Sequence, residues 1–239
     1  MKVYFVTTGL REEIEVIKKV RPPRLLCSFW YFKNRRLEDF CNEIGYTPEI
    51  LLDSGAYSAY TKGRNINVLD YIEYIKSNRP YITSYITADV IGNEKSTYYL
   101  YRLMHSFGLK PVPVVHYGSQ LLSEFFTSCI VALGNTVGIR DKHKVAAWCE
   151  AIKKDFPCTE LHLLGSSSRA ILESGALYSC DSSSWYMLAV NGKPKEIPGR
   201  TREAKIERAE ANMRRIMEEF NEESVPFTNY SSEPTNGKI

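Results

Sequence analysis

Residues 2–20, KVYFVTTGLREEIEVIKKV, place a short run of β-branched and aromatic residues just before a segment with helical spacing. Residues 2–8 predict a strand. Residues 11–20 repeat apolar side chains every three or four positions, which predicts an amphipathic helix. A strand followed at once by a helix is the repeating unit of parallel α/β folds. The opening stretch therefore predicts that class of fold.

The same alternation continues along the chain. Seven further strands are predicted at 24–30, 49–54, 81–90, 112–117, 128–134, 160–165 and 177–182. Helical patterns separate these strands, and a last helix is predicted at 201–220. Eight strands in 239 residues match the usual size of a (β/α)8 barrel, roughly 250 residues. A doubly wound open sheet is the rival, but the turn after the first strand lacks its glycine-rich fingerprint.

We therefore predict an α/β protein with a single-domain (β/α)8 TIM barrel, an extra C-terminal helix and no zinc subdomain. The barrel is expected to span residues 1–220 and to carry the catalytic groups. Residues 221–239 are polar and contain two prolines, so we predict a disordered tail there.

The composition is that of an ordinary globular protein, with 44% hydrophobic and 25% charged residues. No apolar run approaches the ~20 residues of a membrane span, and charged residues come too early for a signal peptide. The six cysteines form no C-x-x-C pair, which argues against a disulfide framework and favours a reducing cytoplasm. The net charge of +3 permits a nucleic-acid partner without requiring one.

Polar residues and glycines stand where most of the predicted strands end. In a TIM barrel the catalytic groups lie at the carboxyl ends of the strands, so these residues should share one rim. A single aspartate there is equally well explained as a turn former or a helix N-cap. Three on one rim favour a site. The residues at these ends are Asp53-Ser54-Gly55, Asp89, His116-Tyr117-Gly118, Gly134-Asn135, Gly165-Ser166 and Asp181.

The spacing of the remaining residue types limits the chemistry. The four histidines show no H-x-H or H-x-x-x-H spacing, no cysteines are clustered, and no predicted strand ends near a lysine. We therefore predict no metal, no iron–sulfur cluster, no Schiff base and no cofactor. Paired carboxylates suit the cleavage of a glycosidic bond, and C–N and C–O bonds fit equally well.

Six stretches resemble, in the same order, the motifs of the tRNA-guanine transglycosylases. They are LLDSGAYSAY (51–60), ITADV (86–90), PVPVVHYG (111–118), IVALGN (130–135), LHLLG (161–165) and SCDSSSW (179–185). Gly-Ala-Tyr-Ser replaces that family's Gly-Gly-Phe-Gln, His116 replaces a base-reading glutamine, and the zinc-binding cysteines are missing. In these departures the chain looks more like the phage-encoded DNA-guanine transglycosylases.

The resemblance implies a pentosyltransferase that exchanges guanine in DNA, less readily in tRNA, for a base such as 7-cyano-7-deazaguanine. Asp181 would form a covalent glycosyl-enzyme, Asp53 would shuttle the proton, and Asp89 would accept the guanine N1–H and N2 amine. The other residues implied to contact the base are His116, Leu133, Gly134, Tyr57, Ser54, Gly55 and Leu164. A phage or prophage origin and the host cytoplasm are also implied, without a membrane partner and with a homodimer left open.

Four basic runs, at 33–36, 61–64, 140–144 and 192–202, follow predicted strands and are expected to contact DNA phosphates. The DNA would be single-stranded or would have the target base flipped out of the duplex. For any one run, a solvated surface explains the charge as well. The residues predicted to contact phosphates are Arg35, Arg36, Lys62, Arg64, Arg140, Lys142, Lys144, Arg169, Lys193, Lys195 and Arg200.

Two other functions remain open from the sequence. The stretch GSSSR (165–169) resembles a phosphate-binding loop at a helix N-terminus. Many barrels bind phosphorylated metabolites with the loops after strands seven and eight, so a lyase or isomerase acting on such a metabolite fits the same carboxylates. A non-catalytic barrel that only binds DNA would keep the basic runs but would need no carboxylate at position 181.

Overall fold

A computed structural model describes residues 1–120, 122–166 and 168–226. Its strands form one parallel eight-stranded sheet in the order β4-β3-β2-β1-β8-β7-β6-β5. The strands are β1 (Lys2–Thr7), β2 (Arg24–Ser28), β3 (Glu49–Asp53), β4 (Ser84–Tyr85), β5 (Val114–His116), β6 (Ile130–Gly134), β7 (Glu160–Leu163) and β8 (Ser179–Ser182).

The two ends of this sheet meet next to β4. Ile86 forms a parallel bridge with Val112. The Val112 N–H donates to the Tyr85 carbonyl at 2.8 Å, and the Thr87 N–H donates to the Val112 carbonyl at 2.9 Å. These bonds join the segment after β4 to the segment before β5 and close the ring. The predicted single-domain (β/α)8 barrel is confirmed.

Helices follow most of the strands and cover the outside of the ring. They are α1 (Arg11–Val20), α2 (Phe29–Phe32), α3 (Leu37–Ile44), α4 (Ala56–Tyr60), α5 (Val68–Ser77), α6 (Glu94–Ser106), α7 (Lys142–Asp155), α8 (Arg169–Leu172), α9 (Ser184–Val190) and α10 (Arg202–Glu219). Four begin at a residue whose side chain accepts a first-turn amide, namely Asn67, Asn93, Asp141 and Thr201. The extra helix predicted at 201–220 is α10.

The strands alternate between two apolar clusters. One set of side chains, including Tyr4, Leu26, Leu51, Val114 and Ala132, fills the inside of the ring. The residues between them pack outward into a larger core shared with the helices. Because successive side chains of a strand point to opposite faces, the polar residue two positions after an inner apolar residue also faces the inside. This rule directs the side chains of Asp53 and His116 toward the mouth of the barrel.

The predicted fourth strand, at 81–90, is mostly not a strand. Pro80 lies in a 3-10 turn over Arg79–Tyr81, and the ladder covers only Ser84–Tyr85. Farther along, the Ala88 N–H donates to the Met104 sulfur and the Val90 N–H donates to the Thr97 hydroxyl. These amides therefore bond to side chains of α6 instead of a neighbouring strand. Asp89 consequently lies on a loop.

Residues 221–226 contact the opposite end of the barrel from the carboxylates. The Val225 N–H donates to the Arg21 carbonyl at 2.8 Å, and Glu222 pairs with Arg24. The rest of the tail for which disorder is predicted, 227–239, lies outside the described residues. Among the described helices, none has the length and apolar character needed to cross a membrane.

Candidate active site

Asp53 ends β3 at the mouth of the barrel. Its Oδ2 accepts the N–H of Gly55 at 2.8 Å, which fixes the carboxyl group against the following turn. Gly55 has a φ of 80°, in the left-handed region. A Cβ at this position would lie 2.4 Å from the Trp30 Cβ and 2.5 Å from the Ser28 Oγ. The turn that orients Asp53 therefore requires glycine at residue 55.

The surroundings of Asp53 raise its pKa to about 7. The largest cause is burial, which disfavours the ionised form, and the negative charges of Asp181 and Asp89 add to it. The Gly55 N–H acts in the opposite direction, because it donates to the ionised carboxylate. At neutral pH the group is therefore present in both protonation states. A group of this kind can both accept and donate a proton.

Asp89 and His116 form a hydrogen-bonded pair. The His116 Nε2 lies 2.7 Å from the Asp89 Oδ1, and the Thr97 hydroxyl donates to the same oxygen at 2.7 Å. Thr97 also accepts the N–H of Val90 at 3.0 Å, so α6 holds the loop that carries Asp89. His116 ends β5 and is only 4% exposed. The 2.7 Å separation fits a hydrogen bond in which the His116 Nε2–H donates to the Asp89 carboxylate.

Asp181 lies within β8 and is 4% exposed. Its Oδ2 accepts the N–H of Gly165 at 2.9 Å and lies 3.5 Å from the Nε2 of His162. The Asp181 carboxylate does not cap α9. Instead, the Ser182 Oγ accepts the N–H of Ser184 at 3.2 Å. The Asp181 carboxylate is thus held inside the barrel by the residues that follow β7.

His162 is a polar residue of the barrel interior that the sequence analysis did not select. Its Nδ1 lies 2.8 Å from the Ser179 Oγ, and its ring meets the Tyr4 ring edge-on. It stands in the middle of β7 instead of at the strand end, so a search of strand ends misses it. The available signal was the alternation along β7, which places His162 on the same face as Leu164.

A cavity of about 340 Å³ opens beside His116, between the loops after β4, β5 and β6. The sequence analysis named four residues of its lining as strand-end residues, namely His116, Tyr117, Gly118 and Asn135, and selected only His116 for a role in the site. Asn135, with a φ of 60°, and Lys95, at the start of α6, also line it. The sequence analysis did not name Lys95, although its position in the segment after β4 is a signal that could have identified it. The other lining residues are Gly92, Asn93, Glu94, Tyr117, Gly118 and Ser119.

The remaining residues expected at the base-binding site have varied surroundings. Leu133 is fully buried in the outer core, and Leu164 packs against the inner cluster. A Cβ on Gly134 would lie 3.1 Å from the Val114 Cγ1. Ser54 is buried and its Oγ accepts the Ala56 N–H, whereas Tyr57 is 52% exposed.

Several of the basic residues expected to contact DNA are paired within the chain. Arg35 pairs with Glu43, Arg36 with Glu38, and Arg169 with Glu173. The Lys62 Nζ lies over the Trp30 and Tyr31 rings, and the Lys142 Nζ donates to the Thr136 carbonyl. Ser167 of the expected phosphate loop lies outside the described residues. The exposed residues of the set are Arg36, Lys62, Arg64, Arg140, Lys144, Arg169, Lys193, Lys195 and Arg200.

Within the described part of the chain, no group of three or more His, Cys, Asp or Glu side chains is arranged to hold a metal ion. Asp53, Asp89 and Asp181 are therefore close enough to interact electrostatically without forming a metal-ligand cluster. Their arrangement suits proton transfer.

Neither a known protein family's sequence profile nor a curated protein matches the chain. Solved structures do match its fold. A structure from Coccidioides immitis, provisionally assigned as a fructose-1,6-biphosphate aldolase, is similar with a TM-score of 0.55 and 14% identity over 92% of this chain and 91% of that one. N-acetylneuraminate lyase from Fusobacterium nucleatum is similar with a TM-score of 0.50 and 15% identity over 90% and 81%.

These comparisons contradict the resemblance to the tRNA-guanine and DNA-guanine transglycosylases. The matching barrels named above are an aldolase and a lyase, and no sequence match supports a transglycosylase. The expected pentosyltransferase activity, the 7-deazaguanine substrate, the DNA partner and the phage setting are therefore corrected. The alternative of a barrel that only binds DNA is corrected as well.

The misleading motifs have a physical origin. Each of the six stretches ends a strand or follows one, and a (β/α)8 barrel always presents its strand ends in chain order. Gly55 is required by the neighbouring Trp30, and a Cβ on Gly134 would come close to the Val114 side chain. Short Asp–Gly and Gly–Asn patterns in this order therefore follow from the fold and do not indicate one activity.

Proposed function

We propose that the protein is a lyase or isomerase that moves a proton on a small metabolite carrying a carbonyl group and an anionic group. The observation that carries this proposal is Asp53, a carboxyl group at the barrel mouth whose pKa is raised to about 7. A general base works best when its pKa lies near the working pH. Asp53 meets that condition, and the carboxyl end of the strands is where barrels place their chemistry.

Asp53 would act first as a base. In its ionised form it would take a proton from a carbon next to the carbonyl group. Alternatively, it would take the proton of a hydroxyl group, and this deprotonation would start bond cleavage. The resulting protonated Asp53 would then return the proton to the product. The nearby Asp89 and Asp181 charges support this cycle, because they favour the protonated form after the transfer.

His116 would stabilise the negative charge that develops on the carbonyl oxygen. Its Nε2 lies 2.7 Å from the Asp89 Oδ1, which leaves Nδ1 as the ring atom that would face a substrate. An imidazolium has a second N–H to donate, on Nδ1, and His116 lines the cavity of about 340 Å³. Asp89 and Thr97 would hold the ring in position.

The cavity beside His116 supports a small anionic substrate. Its volume lies at the lower end of the range of small-molecule sites. Lys95 lines it, and a lysine there would attract a phosphate or carboxylate group on the substrate. The loops after β7 and β8 supply a second candidate for that role, because barrels commonly bind phosphate there.

We also propose that the protein works in a reducing compartment such as the cytoplasm. The six cysteines are unpaired, and four of them, Cys27, Cys41, Cys149 and Cys180, are buried.

The proposal is tested by proton exchange. The purified protein is incubated in D₂O with a panel of sugar phosphates and 2-oxo acids, and deuterium incorporation next to the carbonyl group is followed by ¹H NMR. We expect at least one compound to exchange, with a rate that rises with pH through about 7 as Asp53 ionises. Exchange needs only the first proton transfer, so the assay does not depend on a complete reaction.

Asp53→Asn keeps the shape of the side chain and removes the base, so the exchange rate should fall by roughly 100-fold or more. Asp70→Asn is the matched control, because it makes the same change of side chain at an exposed residue of α5. Exchange by Asp53→Asn at the wild-type rate would refute the proposed role of Asp53. A panel in which no compound exchanges would contradict the proposed function.

A further inference from the structure

A second cavity lies beside the C-terminal end of α9. It has a volume of about 1120 Å³, and none of the three carboxylates lines it. The lining comes from the loop after α9 and from the first turns of α10, and the residues that matter here are Lys195, Ile197, Pro198, Arg200, Lys205 and Arg208. This loop is the basic run 192–202, and the proposed function assigns no role to it.

Arg208 gives the cavity a buried positive charge. It is 5% exposed, and its guanidinium donates to the carbonyls of Ala189, Ile197 and Gly199 at 3.2, 2.9 and 2.9 Å. It forms no ion pair with any carboxylate of the described residues. Backbone carbonyls satisfy the N–H donors but do not neutralise the charge, and a buried charge without a counter-ion is costly.

Two other cations of the cavity are already neutralised. Lys205 pairs with Glu12, and Arg202 pairs with Glu15, so α10 is attached to α1. Lys195 and Arg200 are exposed, and neither makes an ion pair within the described part of the chain. Together with Arg208, they leave the cavity with three positive charges that lack a carboxylate partner.

The N-terminus of α10 adds to this positive potential. The helix has 18 residues and begins at the cavity, where Thr201 and Arg202 are both part of the lining. The amides of a first helical turn point outward and favour an anion. Apolar residues also line the cavity, namely Val190, Ile197 and Pro198.

We propose that this cavity is a binding site for a phosphorylated small molecule with two or more negative charges, separate from the active site. The phosphate groups lie between Arg208, Lys195 and Arg200. The remainder of the ligand packs against Val190, Ile197 and Pro198. The volume slightly exceeds the usual range for small-molecule sites, which leaves room for more than a phosphate group alone.

The test uses the full-length protein and inorganic pyrophosphate as the probe, with binding measured by isothermal titration calorimetry. The double variant Lys195→Glu, Arg200→Glu replaces two positive charges by negative ones on exposed residues, and it should weaken binding roughly tenfold or more. The matched control, Lys18→Glu with Lys154→Glu, makes the same change in net charge on exposed lysines outside the cavity. Its affinity should equal that of the wild type.

The position of the probe is checked by ¹⁵N NMR of the wild type. The amide resonances of Gly192 and Gly199, both in the cavity lining, should shift on titration, whereas that of Gly165 near Asp181 should not. Equal loss of affinity in the two double variants would overturn the proposal, because it would show a response to net charge only. No binding at millimolar pyrophosphate, or shifts confined to Gly165, would also overturn it.

Discussion

Replacing Asp53 by Asn should make the folded protein more stable at alkaline pH. The folded state raises the pKa of Asp53 from 3.8 to about 7, so it holds a proton that the unfolded chain releases. Stability from this group is complete below pH 3.8 and is lost as the pH rises through about 7. Asn stays neutral and keeps an oxygen for the Gly55 N–H, so the variant avoids this loss.

The magnitude follows from the pKa difference. A change from 3.8 to about 7 corresponds to ~4 kcal/mol for a group fully shielded from solvent. The Asp53 residue is partly exposed at the barrel mouth, and water there screens its interactions. We therefore expect about half of that value, ~2 kcal/mol, between about pH 4 and about pH 8.5.

The assay is urea unfolding followed by far-ultraviolet circular dichroism, on wild type and Asp53→Asn at about pH 4 and about pH 8.5. The measured quantity is the difference in unfolding free energy between the two proteins at each pH. Groups other than Asp53 titrate in both proteins, so their contributions cancel in this difference. The exposed Asp70→Asn serves as the control and should show the same difference at both pH values.

The reasoning fails if the advantage of Asp53→Asn is the same at both pH values. In that case the ionisation of Asp53 would not be coupled to folding, and its pKa in the folded state would be ordinary. It also fails if Asp53→Asn is the less stable protein at about pH 8.5, because the ionised carboxylate would then be stabilised by its surroundings.

Two further substitutions test how the site is held in place. Gly55→Ala should lower the unfolding free energy by roughly 2 kcal/mol or more, since a Cβ would lie 2.4 Å from the Trp30 Cβ at a φ of 80°. A urea midpoint equal to that of the wild type would contradict this. Thr97→Val removes a donor to Asp89 and the acceptor of the Val90 N–H, at a cost of ~1–3 kcal/mol. Thr97→Ser should restore both the midpoint and the proton-exchange rate, and failure to restore the rate would show that the hydroxyl does not position Asp89.

The local sequence pattern predicted the secondary structure well where the spacing of apolar residues lies within a single helix or strand. The helix over 11–20 begins and ends where its apolar repeat does, and the helix predicted at 201–220 forms at Arg202–Glu219. The eight strands and their order along the ring also follow from the sequence, because a parallel α/β unit closes in chain order. The placement of Asp53 and Asp181 at one end of the barrel is a consequence of that order.

The prediction over 81–90 shows where local pattern is insufficient. Its aromatic and β-branched residues suit a strand, yet the amides of Ala88 and Val90 bond to side chains of a helix. Strand propensity describes a fit to a half-buried pleated surface, and it does not specify which partner is present. Only the packed α6 determines that Asp89 lies on a loop beside His116.

Activity was the least determined by the sequence. Short motifs at strand ends predicted a transglycosylase, whereas solved structures with a similar fold include an aldolase and a lyase. The residues at the strand ends are determined largely by the backbone geometry of the turns that follow. They therefore carry little information about the substrate.

The sequence by itself placed Asp53 and His116 at strand ends, where β3 and β5 do end. The tertiary structure decided what those residues can do. The raised pKa of Asp53 depends on burial and on charges at residues 89 and 181, which are distant along the chain. The contact of His162 with Asp181 and the unpaired charge of Arg208 are likewise set by elements brought together only on folding. Such properties depend on distances of a few ångströms between segments, and electrostatic energies change steeply over that range.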